Sequence, residues 1–410
     1  MKLMRNIGSL ITVRHTSTER GNCGLAMNDL GIIHNAAMIF SDIIVWIGPN
    51  DAIPTSYHIE ESIDAKGACI MPGFVDSHTH CVFAGSRSHE FSRRLQGVSY
   101  QQIASEGGGI LHTVNSVRNA SVEQLAEQGI VLAKSALRNG TTTIEMKSGY
   151  GLSIESELNL LRAIAVVQNE VSMRIVSTFL GAHDIPPEFR DNREAYIEII
   201  INEMLPKVKE EQLAVFCDVF SDTGYFTIEE SERILHAASD LGFSLKVHAD
   251  ELSSFGAAEM ASRMGAISAD HLLFCSEQGM EMMKASGTVA TLLPGTAYTL
   301  HLPYAPATRM IKKGLIVGLA TDCNPGSCFT ENMQMILSLA CTNMRMSVEQ
   351  AITAATLHGA YALGLEAQCG SLEIGKSADF IVLSTTEYPD LVYHFGVNHI
   401  SQSWFKGNIV

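Results

Sequence analysis

Residues 76–80 read Asp-Ser-His-Thr-His and follow the apolar run Ile70–Val75. In an extended segment, residues i and i+2 point the same way. His78 and His80 therefore project together past the polar end of a strand. Two neutral imidazoles converging on one point suit a metal ion. Alone, such a pair also describes many surface loops, so its weight depends on what else the chain delivers to the same place.

Other polar residues occupy matching positions, each just after an apolar run. Lys147 and Tyr150 follow Thr141–Met146, and His183 follows Arg174–Leu180. His248 and Glu251 follow Ser244–Val247, His271 follows Ala266–Ala269, and Asp322 follows Ile316–Ala320. A catalytic site of the zinc type needs three or four nitrogen or oxygen ligands and an open position for water. His78, His80, His248 and Asp322 supply three imidazoles and a carboxylate, which leaves His271 to hold or deprotonate the water. Water on such an ion has a pKa near ~7. With no thiolate among the ligands, zinc and iron both fit. Glu251, three residues after His248, is placed to shuttle protons.

These residues meet only if the runs before them are strands of one sheet. Two further runs, Ala214–Val219 and Thr288–Leu292, bring the set to about eight, separated by helix-length segments. Ser121-x-x-Gln124, Thr227-x-x-Glu230 and Ser347-x-x-Gln350 have capping-box spacing, and Gly140, Gly242, Gly265 and Gly314 fall where helices should stop. Repeated β/α units of this number predict a (β/α)8 TIM-type barrel over residues 70–365, with its chemistry at the C-terminal ends of the strands. No glycine-rich phosphate loop favours a nucleotide-binding sheet instead. Residues 1–69 and 366–410 read as short strands and turns, among them Ile39–Ile47 and Ala378–Leu383. They are expected to pair with each other as a small β-sandwich outside the barrel. One connection, Cys81–Ala120, is long and irregular apart from a possible short helix, as a binding loop or lid is.

The formal charge of −16 argues against nucleic acid and anionic membranes as partners. No apolar run is long enough to span a bilayer and no secretory signal is visible, so a cytoplasmic protein is expected. The nine cysteines are scattered and include no C-x-x-C pair, so reduced thiols are expected, with Cys323 and Cys328 as packing residues.

Taken together, the H-x-H after the first strand, the histidines after the fifth and sixth and the aspartate after the eighth resemble the amidohydrolase superfamily. The tail Gly370–Leu383 is similar to its C-terminal signature. Asp76–Arg87, Thr142–Leu152, Val247–Glu251 and Thr321–Ser327 more narrowly resemble the imidazolonepropionase family. The resemblance implies hydrolytic opening of 4-imidazolone-5-propanoate to N-formimidoyl-L-glutamate by one zinc or iron ion, bound by His78, His80, His248 and Asp322. It implies substrate contacts from Arg87, Tyr150, His183 and Glu251, and product contacts from Asn324, Gly326 and Ser327. Glu251, His271 and Asp322 would serve the proton transfers. A homodimer is common among such proteins. Ser327 stands where threonine is frequent, which keeps the hydroxyl and loses a methyl. The fourth strand ends Cys217-Asp218-Val219, without the lysine that binuclear relatives carboxylate. For Lys147, structural and catalytic roles both stay open. The rival chemistry is deamination of a purine, pyrimidine or related ring. A rival of another class is a non-catalytic scaffold, which should have lost ligands.

Overall fold

The computed structural model describes residues 1–14, 21–98, 102–103 and 106–410. Its barrel strands are β6 (Phe74–Asp76), β7 (Thr141–Lys147), β8 (Arg174–Ala182), β9 (Phe216–Ser221), β10 (Ser244–Ala249), β11 (Ser268–His271), β12 (Val289–Leu292) and β13 (Val317–Leu319). They pair in parallel in chain order from β6 to β13. Helices alternate with them and bury one face each. The helix Val122–Arg138 begins at the Ser121–Gln124 capping box and buries Leu125, Ala126, Gly129, Leu132, Ala133 and Ala136, a 3.6-residue stripe. The capping boxes at Thr227 and Ser347 are also formed.

The ring closes at the H-x-H segment. Past β6 the chain stays extended, and Thr79 bridges Cys323 in parallel. The Asp322 N–H donates to His78 O at 3.0 Å, and the His80 N–H to Cys323 O at 2.9 Å. Beneath them, buried Asp76 accepts the Thr321 N–H at 2.9 Å and its hydroxyl at 2.6 Å. Asp76→Ala strands both Thr321 donors. At about 1–3 kcal/mol for each buried group left unpaired, it should lower unfolding free energy by about 3 kcal/mol in urea titration. A change under about 0.5 kcal/mol would show that the seam does not depend on this pair.

The second sheet joins both chain ends. Its strands are β1 (Lys2–Leu10), β2 (Ile33–Phe40), β3 (Ile44–Pro49), β4 (Glu61–Asp64), β5 (Cys69–Pro72), β14 (Phe380–Leu383), β15 (Ile400–Phe405) and β16 (Asn408–Ile409). The order is β16-β15-β14-β5-β1-β2-β3, with β4 also on β1. β2 and β14 stand three places apart, about 14 Å in a flat sheet. Yet Phe40 and Phe380 meet edge to face at 5.3 Å. The sheet therefore curls over a core of its own that includes Met4, Ile7, Phe40, Phe380 and Trp404.

Three sequence-based expectations change here. Ile70–Val75 is not one strand: it splits at Gly73 into β5, in the curled sheet, and β6, in the barrel. A Cβ on Gly73 would sit 2.2 Å from Thr142 Oγ1, so the crossing point admits only glycine without movement. Ile39–Ile47 is likewise a hairpin, turning at 41–43 between β2 and β3. Within the connection Cys81–Ala120 the described residues include the helices Ser88–Leu95 and Ile110–Arg118, and its residues 99–101 and 104–105 lie outside the described set. All nine cysteines are free, with Cys323 and Cys328 buried in packing. Among the described residues, no helix is long and apolar enough to cross a membrane.

Candidate active site

The polar residues singled out at strand ends do converge. At or just past the ends of β10, β11 and β13 the chain turns out through left-handed backbone at Asp250 (φ 48°), His271 (φ 78°) and Asp322 (φ 54°). Non-glycine residues pay about 1–3 kcal/mol for such geometry, and it persists where surrounding bonds fix it. Asp250 shows how. Its carboxylate accepts the N–H groups of Phe255, Gly256, Ala257 and Ala258 at 3.0–3.2 Å. Asp222 holds the other side of the loop through Leu252 N at 2.7 Å and Ser253 Oγ at 2.6 Å. Glu251 lies between these two anchors.

His78, His80, His248, His271 and Asp322 form one buried cluster. Candidate ligand atoms of His78, His80 and Asp322 lie within 4.8 Å of one another, as do those of His78, His248 and His271. Asp322 Oδ1 is 3.7 Å from His78 Nε2 and 3.6 Å from His80 Nε2. Those spacings are long for hydrogen bonds. They approach the edge of a coordination tetrahedron, about 3.4 Å for ligand bonds near 2.1 Å. His78 Nε2 and His248 Nε2 are buried without hydrogen-bond partners, a costly condition unless a ligand satisfies them. Burial foremost, then nearby cationic groups, holds His78 and His80 well below the ordinary histidine pKa, so both rings are neutral and able to ligate. Burial pushes Asp322 up to about 6; a cation beside it acts in the opposite direction. This donor set fits a metal ion.

The unligated ring atoms are oriented from behind. His78 Nδ1 donates to Asp270 Oδ2 at 2.6 Å, and His248 Nδ1 lies 3.0 Å from Asp218 Oδ2. Carboxylates in this place set the tautomer and plane of a ligating histidine. Thr296 donates its hydroxyl to Asp322 Oδ2, leaving Oδ1 toward the rings. Asp218 and Asp270 also lie near enough to His78 to form a ligand group with it, but each is already committed to a ring and a buried lysine. Sequence reading assigned no role to Asp218, Asp270 or Thr296. The available signal was a charged residue inside an apolar parallel strand, which must be paired when buried.

A cavity of about 530 Å³ opens over the cluster, and every residue singled out from the sequence except His78 and Lys147 lines it. His183 stacks on His80, with ring centroids 5.1 Å apart, and its Nδ1 donates to Gly149 O at 2.9 Å. Tyr150 rides on a loop held by Glu157, which accepts the N–H groups of Gly149, Gly151 and Leu152 at 2.7–2.9 Å. Gly151 is required there: a Cβ would meet Glu157 N at 2.5 Å. Arg87 pairs with buried Glu90 through Nε at 3.0 Å and Nη2 at 2.9 Å. Glu90 also accepts the Gly109 N–H at 3.1 Å, which ties both helices of the long connection together. Asn324 spends its amide on its own loop, accepting from Gly326 N at 2.8 Å and Ser327 N at 2.7 Å. Glu251 Oε2 lies 3.6 Å from His271 Nε2. Burial, then the carboxylates of Asp322 and Asp222, push Glu251 well above the usual carboxylate range. Burial lowers His271.

Barrel, curled second sheet and a buried histidine–aspartate cluster fit for a metal ion at the strand ends have the form of a hydrolase, and residues 69–410 match the model of the amidohydrolase family. The chain belongs to that family and, within it, to the imidazolonepropionases. It is 46% identical over 395 residues to the imidazolonepropionase of Thermoanaerobacter pseudethanolicus, covering 96% of this chain and 95% of that one. It is 44% identical over 413 residues to the imidazolonepropionase of Alkaliphilus oremlandii, covering 99% and 97%. Among solved structures, an adenosine deaminase from Xanthomonas campestris with bound zinc superposes with a TM-score of 0.73 at 18% identity, covering 100% of this chain and 92% of that one. Escherichia coli guanine deaminase gives 0.70 at 18%, covering 100% and 99%. At those identities the likeness concerns the fold.

Proposed function

We propose that this protein hydrolyses the ring C–N bond of 4-imidazolone-5-propanoate, giving N-formimidoyl-L-glutamate. The observation that carries this reading is an arginine, Arg87, in the same cavity as the histidine–aspartate cluster, in a chain 46% identical to an imidazolonepropionase. His78, His80, His248 and Asp322 hold one zinc or iron ion. When bound, that ion polarises water and the ring carbonyl and lowers the pKa of the water. Arg87 takes the propionate through a charge-assisted pair, while Tyr150 and His183 steer the ring. Glu251 and His271 divide two proton transfers: one proton leaves the attacking water, and one reaches the ring nitrogen as its bond to the carbonyl carbon breaks. The Asn324–Ser327 loop walls the amino-acid end of the product. Nine free cysteines suit a reducing cytoplasm. The family resemblance supports a homodimer, which sedimentation velocity tests.

Incubation with 4-imidazolone-5-propanoate should remove its ultraviolet absorbance without releasing ammonia. Ammonia from aminated purines or pyrimidines, with the imidazolone untouched, would replace this reading by deamination.

Arg87→Ala, combined with Glu90→Gln so that no buried carboxylate is stranded, should raise KM by about 10- to 100-fold. A tail-less imidazolone should show no such rise; equal losses on both would exclude carboxylate pairing. Gly326→Ala tests the same contact from the other side. Its Cβ would lie 2.1 Å from Arg87 Nη1, so the guanidinium must move. KM should rise with kcat within about threefold in steady-state assays, the signature of binding lost equally from substrate and transition state.

A further inference from the structure

The barrel interior below the cluster holds two buried lysines to which the proposed mechanism gives no task. Apolar side chains fill most interiors of this kind, and lysine is almost never fully buried without a partner. Lys147 and Lys246 are both fully buried. Lys147, on β7, reaches across the interior, with Nζ 2.5 Å from Glu145 Oε1 and 2.9 Å from Asp218 Oδ2. Asp218 Oδ1 accepts the His248 N–H at 3.2 Å, and its Oδ2 stands 3.0 Å from His248 Nδ1. Glu145 takes the Thr79 N–H at 3.1 Å, between the two histidines of the H-x-H segment. Lys246, on β10, repeats the pattern. Its Nζ donates to Ser77 O at 3.1 Å and lies 3.6 Å from Asp270 Oδ2, the acceptor of His78 Nδ1. Two lysine–aspartate–histidine chains thus end at the two rings whose Nε2 atoms are buried and unpartnered.

We propose that Lys147 and Lys246 are positioning residues for the metal centre, each fixing one aspartate that in turn fixes the tautomer and ring plane of one histidine ligand. A carboxylate in a dry interior has two equivalent oxygens, and an adjacent ammonium decides which of them faces the ring. The ring then carries its proton on Nδ1 and presents a bare Nε2. A ring protonated on Nε2 has no lone pair to offer there. The inference rests on the metal reading proposed above and not on the identity of the substrate.

Its test uses the metal-stripped full-length protein and zinc alone, with affinity measured by chelator competition. Lys147→Met should fold, as seen by circular dichroism, and bind zinc about 10- to 100-fold more weakly, the usual cost of losing an outer partner. In an Asp218→Asn background the same substitution should cost nothing further, because the lysine acts through that carboxylate. Parent-like affinity in folded Lys147→Met, or an equal further loss in the Asp218→Asn background, would overturn the proposal. Should Lys147→Met not fold, comparing Lys147→Met/Asp218→Asn with Asp218→Asn alone decides it by the same criterion. Lys246→Met and Asp270→Asn form the second cycle. A parent that binds no zinc would instead refute the metal reading itself.

Discussion

His248→Ala is expected to yield a folded protein that keeps no stoichiometric metal and turns over at less than about one-thousandth of the parent rate. The ring of His248 packs 4.5 Å from that of His78 and 5.5 Å from that of His80, centroid to centroid. Its Nε2 has no other occupation. Removing it takes one of the four proposed ligands and leaves Asp218 facing a void. Metal polarisation is worth several kcal/mol, which is about 10³-fold or more in rate. Elemental analysis of the purified variant beside its kcat is the measurement. Retained metal with parental turnover would remove His248 from the ligand set.

Glu251→Gln separates proton transfer from metal binding. The substitution keeps shape, and the loop is held on both flanks through Asp250 and Asp222, so geometry should survive. Metal content should match the parent while kcat falls about 10²- to 10⁴-fold, the range for a lost general acid or base. KM should move little. An unchanged kcat would leave the proton transfers to other groups. Together the two variants make a contrast: one loses rate with metal, the other loses rate and keeps it.

Much of this was legible in the chain itself. Parallel strands buried on both faces are short apolar runs with clear punctuation, so β7, β8 and β10 begin at the residues expected, and the three capping boxes form. The site followed because strand ends deliver side chains to one rim. What stayed hidden depends on partners distant in sequence. Ile70–Val75 is uniformly apolar, and nothing local shows that Gly73 hands the chain from one sheet to another. Ile39–Ile47 conceals a hairpin because its turn, 41–43, includes an isoleucine. The long connection includes, among the described residues, the helices Ser88–Leu95 and Ile110–Arg118, which Glu90 joins through Arg87 and Gly109. Asp218 and Asp270 acquire meaning only once the rings they orient are seen beside them. Asn324 lines the cavity, and its amide also builds the turn that presents Gly326 and Ser327.

The seam between Thr79 and Cys323 has a consequence for biosynthesis. A ribosome releases His78 and His80 long before it releases Asp322, and until the last barrel strand emerges those imidazoles have no rim to belong to. Three histidines of an unfinished polypeptide can scavenge an ion, yet they cannot enclose it. On the proposed metal reading, loading and ring closure are therefore expected as one late, cooperative event. The ion should act as a rivet, slowing amide exchange most at the His80 and Asp322 N–H groups that stitch the two edges together.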